Sequence, residues 1–123
     1  ALAGPRRDGH QFITEVYDRG VRCFVVKKDF DTLPFEQAIF LKVNDVLLAL
    51  QQLAAYHRRQ FNIPVIGITG SNGKTIVKEW LYQLMHTNQH IVRSPRSYNS
   101  QIGVPLSVWQ MQPEHTLGIF EAG

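Results

Sequence analysis

Residues 69–75 read Thr-Gly-Ser-Asn-Gly-Lys-Thr, an order of residue types suited to one task, the gripping of a polyphosphate. Gly70 and Gly73 permit backbone angles and close approach that a Cβ would forbid. The main-chain amides of Gly70, Ser71, Asn72, Gly73, Lys74 and Thr75 can then converge as an anion nest, reinforced by the unpaired N–H groups of a following helix. Lys74 supplies a mobile point charge for terminal phosphates, and Thr75 a hydroxyl for Mg²⁺. A glycine-rich turn without a ligand needs neither. The common phosphate loop carries a glycine where Ile68 stands here, so this loop has the shorter form T-G-x-x-G-K-T.

A carboxylate completes the set. Glu121 closes the apolar stretch "LGIFE". If that stretch is a strand beside the one feeding the loop, Glu121 reaches Mg²⁺ near Thr75, because α/β ligands sit at the carboxyl ends of parallel strands. Magnesium takes carboxylate, phosphate and water oxygens. His86 and His90 have the i, i+4 spacing of metal ligands, but the helix should end between them and no third ligand follows. They read as a solvated helix end.

These groups need a frame. A strand over residues 63–69, the loop, a helix from about Lys74, the strand "HIVR", the loop "RSPRSYNSQIG", a helical stretch in "VPLSVWQM" and the strand "LGIFE" imply a parallel α/β sheet. Ile76, Val77, Trp80, Leu81 and Leu84 should form the apolar stripe of the helix after the loop. Gly103 and Pro105 shape the turn into the next one. Upstream, Asp8 can cap a helix running to about Arg19, stopped by Gly20. The strands "VRCFVV" and "AIFLKV" follow, and Asn44 or Asp45 caps a second helix ending in "HRRQFN". The fold class is therefore α/β: a small N-terminal α/β domain over residues 1–60, then the start of a parallel-sheet P-loop ATPase domain over 61–123. The abrupt ends suggest a piece of a longer protein.

The bulk numbers are ordinary for a globular chain of 123 residues, with 44% hydrophobic and 19% charged residues. No apolar run is long enough to span a bilayer. The one cysteine, Cys23, excludes an internal disulfide, reads as a small hydrophobe in a strand, and fits a reducing, cytoplasmic setting. The net charge of +3 is dispersed rather than clustered with aromatics; a site for an anionic small molecule explains it equally well, charge alone decides nothing, and no nucleic-acid partner is expected.

With these residues in place, the chain resembles the Mur ligases, ATP-dependent amide-forming enzymes of peptidoglycan precursor synthesis whose signature is T-G-[ST]-N-G-K-T. "DGHQFI" with "VRCFVV" is similar to the N-terminal domain of the MurF type. "VNDVLLALQQLAAYHR", "NSQIGVPLSVW" and "FEAG" resemble later segments of that branch. The wording "SPRSYNSQIGVPLSVW" and "GIFEAG" most resembles a bifunctional form fused to an alanine racemase, none of whose residues lies in this chain. Two departures are Ile76, where many members have threonine, and "EAG" in place of Glu-Leu-Gly or Glu-Met-Gly; the acid is preserved.

The resemblance implies ATP and Mg²⁺ as cofactors, and UDP-MurNAc-tripeptide and D-Ala-D-Ala as substrates. It assigns the metal carboxylate to Glu121, and it places Asn99 facing the γ-phosphate, where the residues alone also allow a turn-forming asparagine. Arg6, Arg7, Asp8, Gly9 and His10 fall where the family's N-terminal domain approaches the UDP end. An arginine there can meet pyrophosphate, while Asp8 can equally be a helix cap. Family members draw their adenine contacts, a carbamylated lysine and a third domain from sequence outside these residues, so the isolated chain is expected to show no ligase turnover and little nucleotide binding. The rivals are a folylpolyglutamate-type ligase, a P-loop kinase or GTPase, and a module with a vestigial loop. The oligomeric state is left open.

Overall fold

The computed structural model describes residues 1–4 and 7–123; Pro5 and Arg6 lie outside the described residues, and with Arg6 one of the candidate pyrophosphate arginines. The chain forms two compact units, Ala1–Ala49 and Leu50–Gly123.

In the first unit Asp8 does cap a helix. Its carboxylate accepts from the His10 amide at 3.0 Å, opening a 3-10 turn over Gly9–Phe12 that runs into α1 (Ile13–Asp18). Gly20, at φ +94°, supplies the left-handed residue that stops it. Strand β1 (Cys23–Lys27) then pairs in parallel with β2 (Ile39–Val43). Phe24 and Phe40, opposite each other in that register, stack at 5.1 Å. Val26 and Ile13 are buried, whereas Cys23 is in the expected strand but exposed at its start.

Of the two candidate caps for α2 (Val46–Arg58), the structure uses Asp45, whose Oδ1 accepts from the Leu48 amide at 3.0 Å. The expected division after residue 60 and the observed one after Ala49 differ because the second half of α2 packs with residues later in the chain. The His57 ring lies 4.7 Å from that of Trp109 and 3.1 Å from the Met111 carbonyl, and Arg58 donates to the carbonyls of Phe61 and Ile63.

The second unit is the parallel α/β sheet expected. Its strands are β3 (Val65–Ile68), β4 (Ile91–Arg93) and β5 (Leu117–Glu121), with α3 (Lys74–Met85) and α4 (Gly103–Val108) between them. The order is β3-β5-β4, so the strand that comes last in the chain is central, and all five of its residues are buried. Alternation along a strand sends successive side chains to opposite faces. Leu117 and Ile119 join Ile68, Leu81 and Met85 in one cluster, while Phe120 joins Val92 and Met111 in another. Glu121 falls on the Leu117–Ile119 side of the pleat, which aims it at α3.

The expected apolar stripe of α3 does not form the core face. Ile76, Trp80 and Leu84 are 57%, 63% and 76% exposed, and of the stripe only Leu81 packs into the core. The inward line runs Thr75, Lys78, Leu81, Met85. Two polar contacts to Glu121 set this rotation: Thr75 and Lys78 both turn toward the carboxylate and carry the helix with them.

Candidate functional site

Strand β3 delivers the chain into the loop, and both glycines adopt angles that L side chains rarely take: φ +140° at Gly70 and +76° at Gly73. A Cβ built at either would meet nothing within 4 Å, so backbone conformation rather than crowding demands glycine there. Gly73 is also the residue before α3 and offers no side-chain cap. The first-turn amides of a 12-residue helix are thus left for another acceptor. Ser71 and Asn72 are exposed on the loop, and the Lys74 ammonium folds back onto the Gly70 carbonyl.

Thr75 and Glu121 are brought together, 46 residues apart in sequence. The register sets Ile68 opposite Glu121, and the Thr75 hydroxyl donates to Glu121 Oε2 at 3.1 Å. The Glu121 backbone is fixed from two sides: its amide donates to Ser94 Oγ at 3.0 Å, and the next amide, Ala122, to the Ile68 carbonyl at 2.8 Å. Its side chain is fully buried.

The residue that sequence reasoning missed is Lys78. It is fully buried, with its Nζ 2.8 Å from Glu121 Oε1 and 2.8 Å from the Ser94 carbonyl, and it also donates to the Arg96 carbonyl. Arg96 holds a positive φ of +51°, unusual for a residue with a side chain. Two of the ammonium's three donors go to the Ser94 and Arg96 carbonyls, and the third is left for Oε1, which it holds as a buried ion pair. A buried carboxylate beside a threonine hydroxyl is a donor set that fits a hard divalent cation. The signal for Lys78 was its place three residues after Thr75, on the same helical face.

Asn99 sits by the end of β5. Its carbonyl accepts from the Gly123 amide at 2.9 Å, and a Cβ on Gly123 would lie 3.5 Å from its side-chain carbon. It borders a cleft of about 400 Å³ that also touches Ala54, Val104, Pro105, Val108 and Ala122. Gly103 opens α4 so close to Tyr98 that a Cβ would come within 2.9 Å of its backbone.

In the first unit, Asp8 and His10 hold each other. Asp8 Oδ1 lies 2.6 Å from His10 Nδ1, and His10 Nε2 accepts from the Lys27 amide at 3.0 Å, so Nδ1 carries the proton. The backbone amide of His10, and then its imidazole, hold the Asp8 carboxyl below its ordinary range. These contacts are structural ones, tying the cap to β1. Arg7 is exposed. His86 caps the end of α3 through Tyr82 and Gln83 carbonyls, and among the described residues no three of His, Cys, Asp and Glu gather as a metal cluster.

Residues 68–123 match the Mur ligase middle domain model. Over 99% of its length the chain is 34% identical to the UDP-N-acetylmuramoyl-tripeptide–D-alanyl-D-alanine ligase of Bacillus subtilis, and over 98% it is 37% identical to that of Synechocystis. Among solved structures it superposes on MurF from Acinetobacter baumannii with a TM-score of 0.92 at 34% identity, covering 100% of this chain and 26% of that one. The MurF ligase of Thermotoga maritima in complex with ADP gives a TM-score of 0.84 at 29% identity, covering 98% and 27%. The chain spans about a quarter of the length of the relatives it matches, 26% of each of the Bacillus and Synechocystis ligases. Built around a T-G-S-N-G-K-T loop and a buried strand-end glutamate, and alike in sequence and fold to these enzymes, the chain carries a Mur ligase middle domain match over residues 68–123.

Proposed function

We propose that this chain supplies the phosphate-gripping part of an ATP-dependent ligase that joins D-Ala-D-Ala to UDP-MurNAc-tripeptide in the cytoplasm. The observation that carries the reading is the Thr75–Glu121 contact of 3.1 Å at the mouth of the glycine loop, where the first turn of α3 has no cap of its own. The relatives named for this activity, and the MurF structure holding ADP, support it.

An ionised carboxylate is a poor acyl donor. Phosphorylation of the tripeptide's terminal carboxylate by ATP gives an acyl phosphate, whose phosphate the dipeptide amine displaces. Such transfer is governed by positioning and charge neutralisation. The amides of residues 70 to 75 orient the phosphate tail. Lys74 leaves the Gly70 carbonyl to meet the terminal phosphates. Thr75 Oγ1 and Glu121 would hold Mg²⁺, which would supply charge neutralisation to the phosphates when bound. Asn99, on the edge of the cleft, would face the γ-phosphate and the substrate region. The substrate roles of Arg7, Asp8 and His10 belong to the same reading, with Asp8 and His10 acting through the fold of the cap.

The test is ATP binding in the presence of Mg²⁺ by the full-length protein and its Lys74→Ala variant, with phosphate release measured with both substrates. At least a roughly tenfold loss of affinity, and release that requires both substrates, are expected. Equal affinity would identify the loop as vestigial.

A further inference from the structure

The buried ammonium of Lys78 is the one charged group of the site that the proposed chemistry does not use. Its surroundings are specific. Glu121 Oε1 lies 2.8 Å away, and Glu79 Oε1 lies 3.3 Å away. Glu79 is itself paired through its other oxygen to Arg93, whose guanidinium sits 3.6 Å over the Tyr82 ring. Glu79 and Arg93 cancel. What remains in contact at the carboxylate is Lys78 against Glu121, one positive charge against one negative, while Lys74 rests on the Gly70 carbonyl.

That balance has a chemical consequence. A carboxylate and a hydroxyl alone would attract a free divalent cation, but an ammonium in contact with the same carboxylate opposes it. A nucleotide's phosphates would make the local charge negative again. The geometry also shows why Lys78 does not simply occlude the carboxylate. It pairs with Oε1, while the other oxygen, Oε2, faces the Thr75 hydroxyl at 3.1 Å on the side of the glycine loop.

We propose that Lys78 is a charge gate on Glu121, balancing the carboxylate so that the protein alone holds no divalent cation and takes one only together with a nucleoside phosphate. Lys78 acts through Glu121 and is a positioning residue. The inference rests on the reading of the loop as a nucleotide site.

The test uses Mn²⁺ as a paramagnetic probe, with free Mn²⁺ followed by electron paramagnetic resonance, on the full-length protein. Wild type should bind no Mn²⁺ below millimolar concentrations without nucleotide, and one equivalent with ADP. Lys78→Met should bind Mn²⁺ without nucleotide at least about tenfold more tightly than wild type, and adding Glu121→Gln should abolish that gain. Lys78→Arg, which keeps the charge, should behave as wild type. A purely structural role for Lys78 predicts loss of binding on substitution, never a gain. A folded Lys78→Met without tighter Mn²⁺ binding overturns the gate. So does wild-type protein that binds submillimolar Mn²⁺ without nucleotide in a Glu121-dependent way, a measurement that needs no Lys78 variant to fold. In either case Lys74-dependent ADP binding would leave the nucleotide reading intact, whereas wild type that binds no nucleotide would end both.

Discussion

Replacing Lys78 by methionine keeps the volume of the side chain and removes its charge, and the structure sets the size of the effect. Both partners of the Lys78–Glu121 pair are fully buried, with nitrogen and oxygen 2.8 Å apart. At an effective dielectric near 20 the gross attraction at that separation is about 6 kcal/mol, part of it offset by desolvation. Breaking a buried pair by deleting one member costs about 3–5 kcal/mol, because the survivor is left uncompensated. Here the substitution also strips a donor from the Ser94 and Arg96 carbonyls. Urea unfolding followed by fluorescence is a suitable assay, since both tryptophans of the chain, Trp80 and Trp109, lie in the second unit. Lys78→Met should lose about 3–5 kcal/mol, while Lys78→Met with Glu121→Gln should return to within about 2 kcal/mol of wild type, as neutral groups of similar size replace both ions. A single variant losing less than about 1 kcal/mol, or a double variant whose loss is the sum of the singles, would refute the claim that these charges hold the helix in register.

Thr75→Val should cost about 1–3 kcal/mol in the same assay by leaving buried Glu121 Oε2 without its hydroxyl, and Thr75→Ser should restore most of it. Gly103→Ala should destabilise by about 1–3 kcal/mol, since its Cβ would press to 2.9 Å on the Tyr98 backbone; a thermal melt checks this. Asp8 has a folded pKa below its ordinary 3.8, so its contribution is complete above that value and is lost as pH falls through the lowered one. Amide exchange in residues 8–10 should therefore accelerate in acid, and Asp8→Asn should remove that pH dependence.

The site was legible where its chemistry is local. The loop's glycines and the start of α3 at Lys74 follow from residue types at fixed offsets. The pairing of Glu121 with the strand before the loop followed from how parallel sheets present their carboxyl ends. Features that depended on tertiary contact stayed hidden. The apolar residues of α3 pointed to one helical rotation, and the Thr75 and Lys78 contacts to a buried carboxylate imposed another. Lys78 went unmarked because its partners, Ser94, Arg96 and Glu121, are distant in sequence. The division after Ala49 escaped notice because α2 is continuous in sequence pattern while its second half packs through His57 and Arg58.

The central place of β5 bears on how the molecule is made. Neither β3 nor β4 has the other as a neighbour, so each waits for a strand translated later. Until residue 121 has left the ribosome, Ile68 has no partner across from it and the Glu121 carboxylate is absent. Pairings so distant in sequence form slowly. The nascent chain therefore carries its glycine loop as an unsupported turn, and the cradle appears only when β5 slides between the two strands that came before.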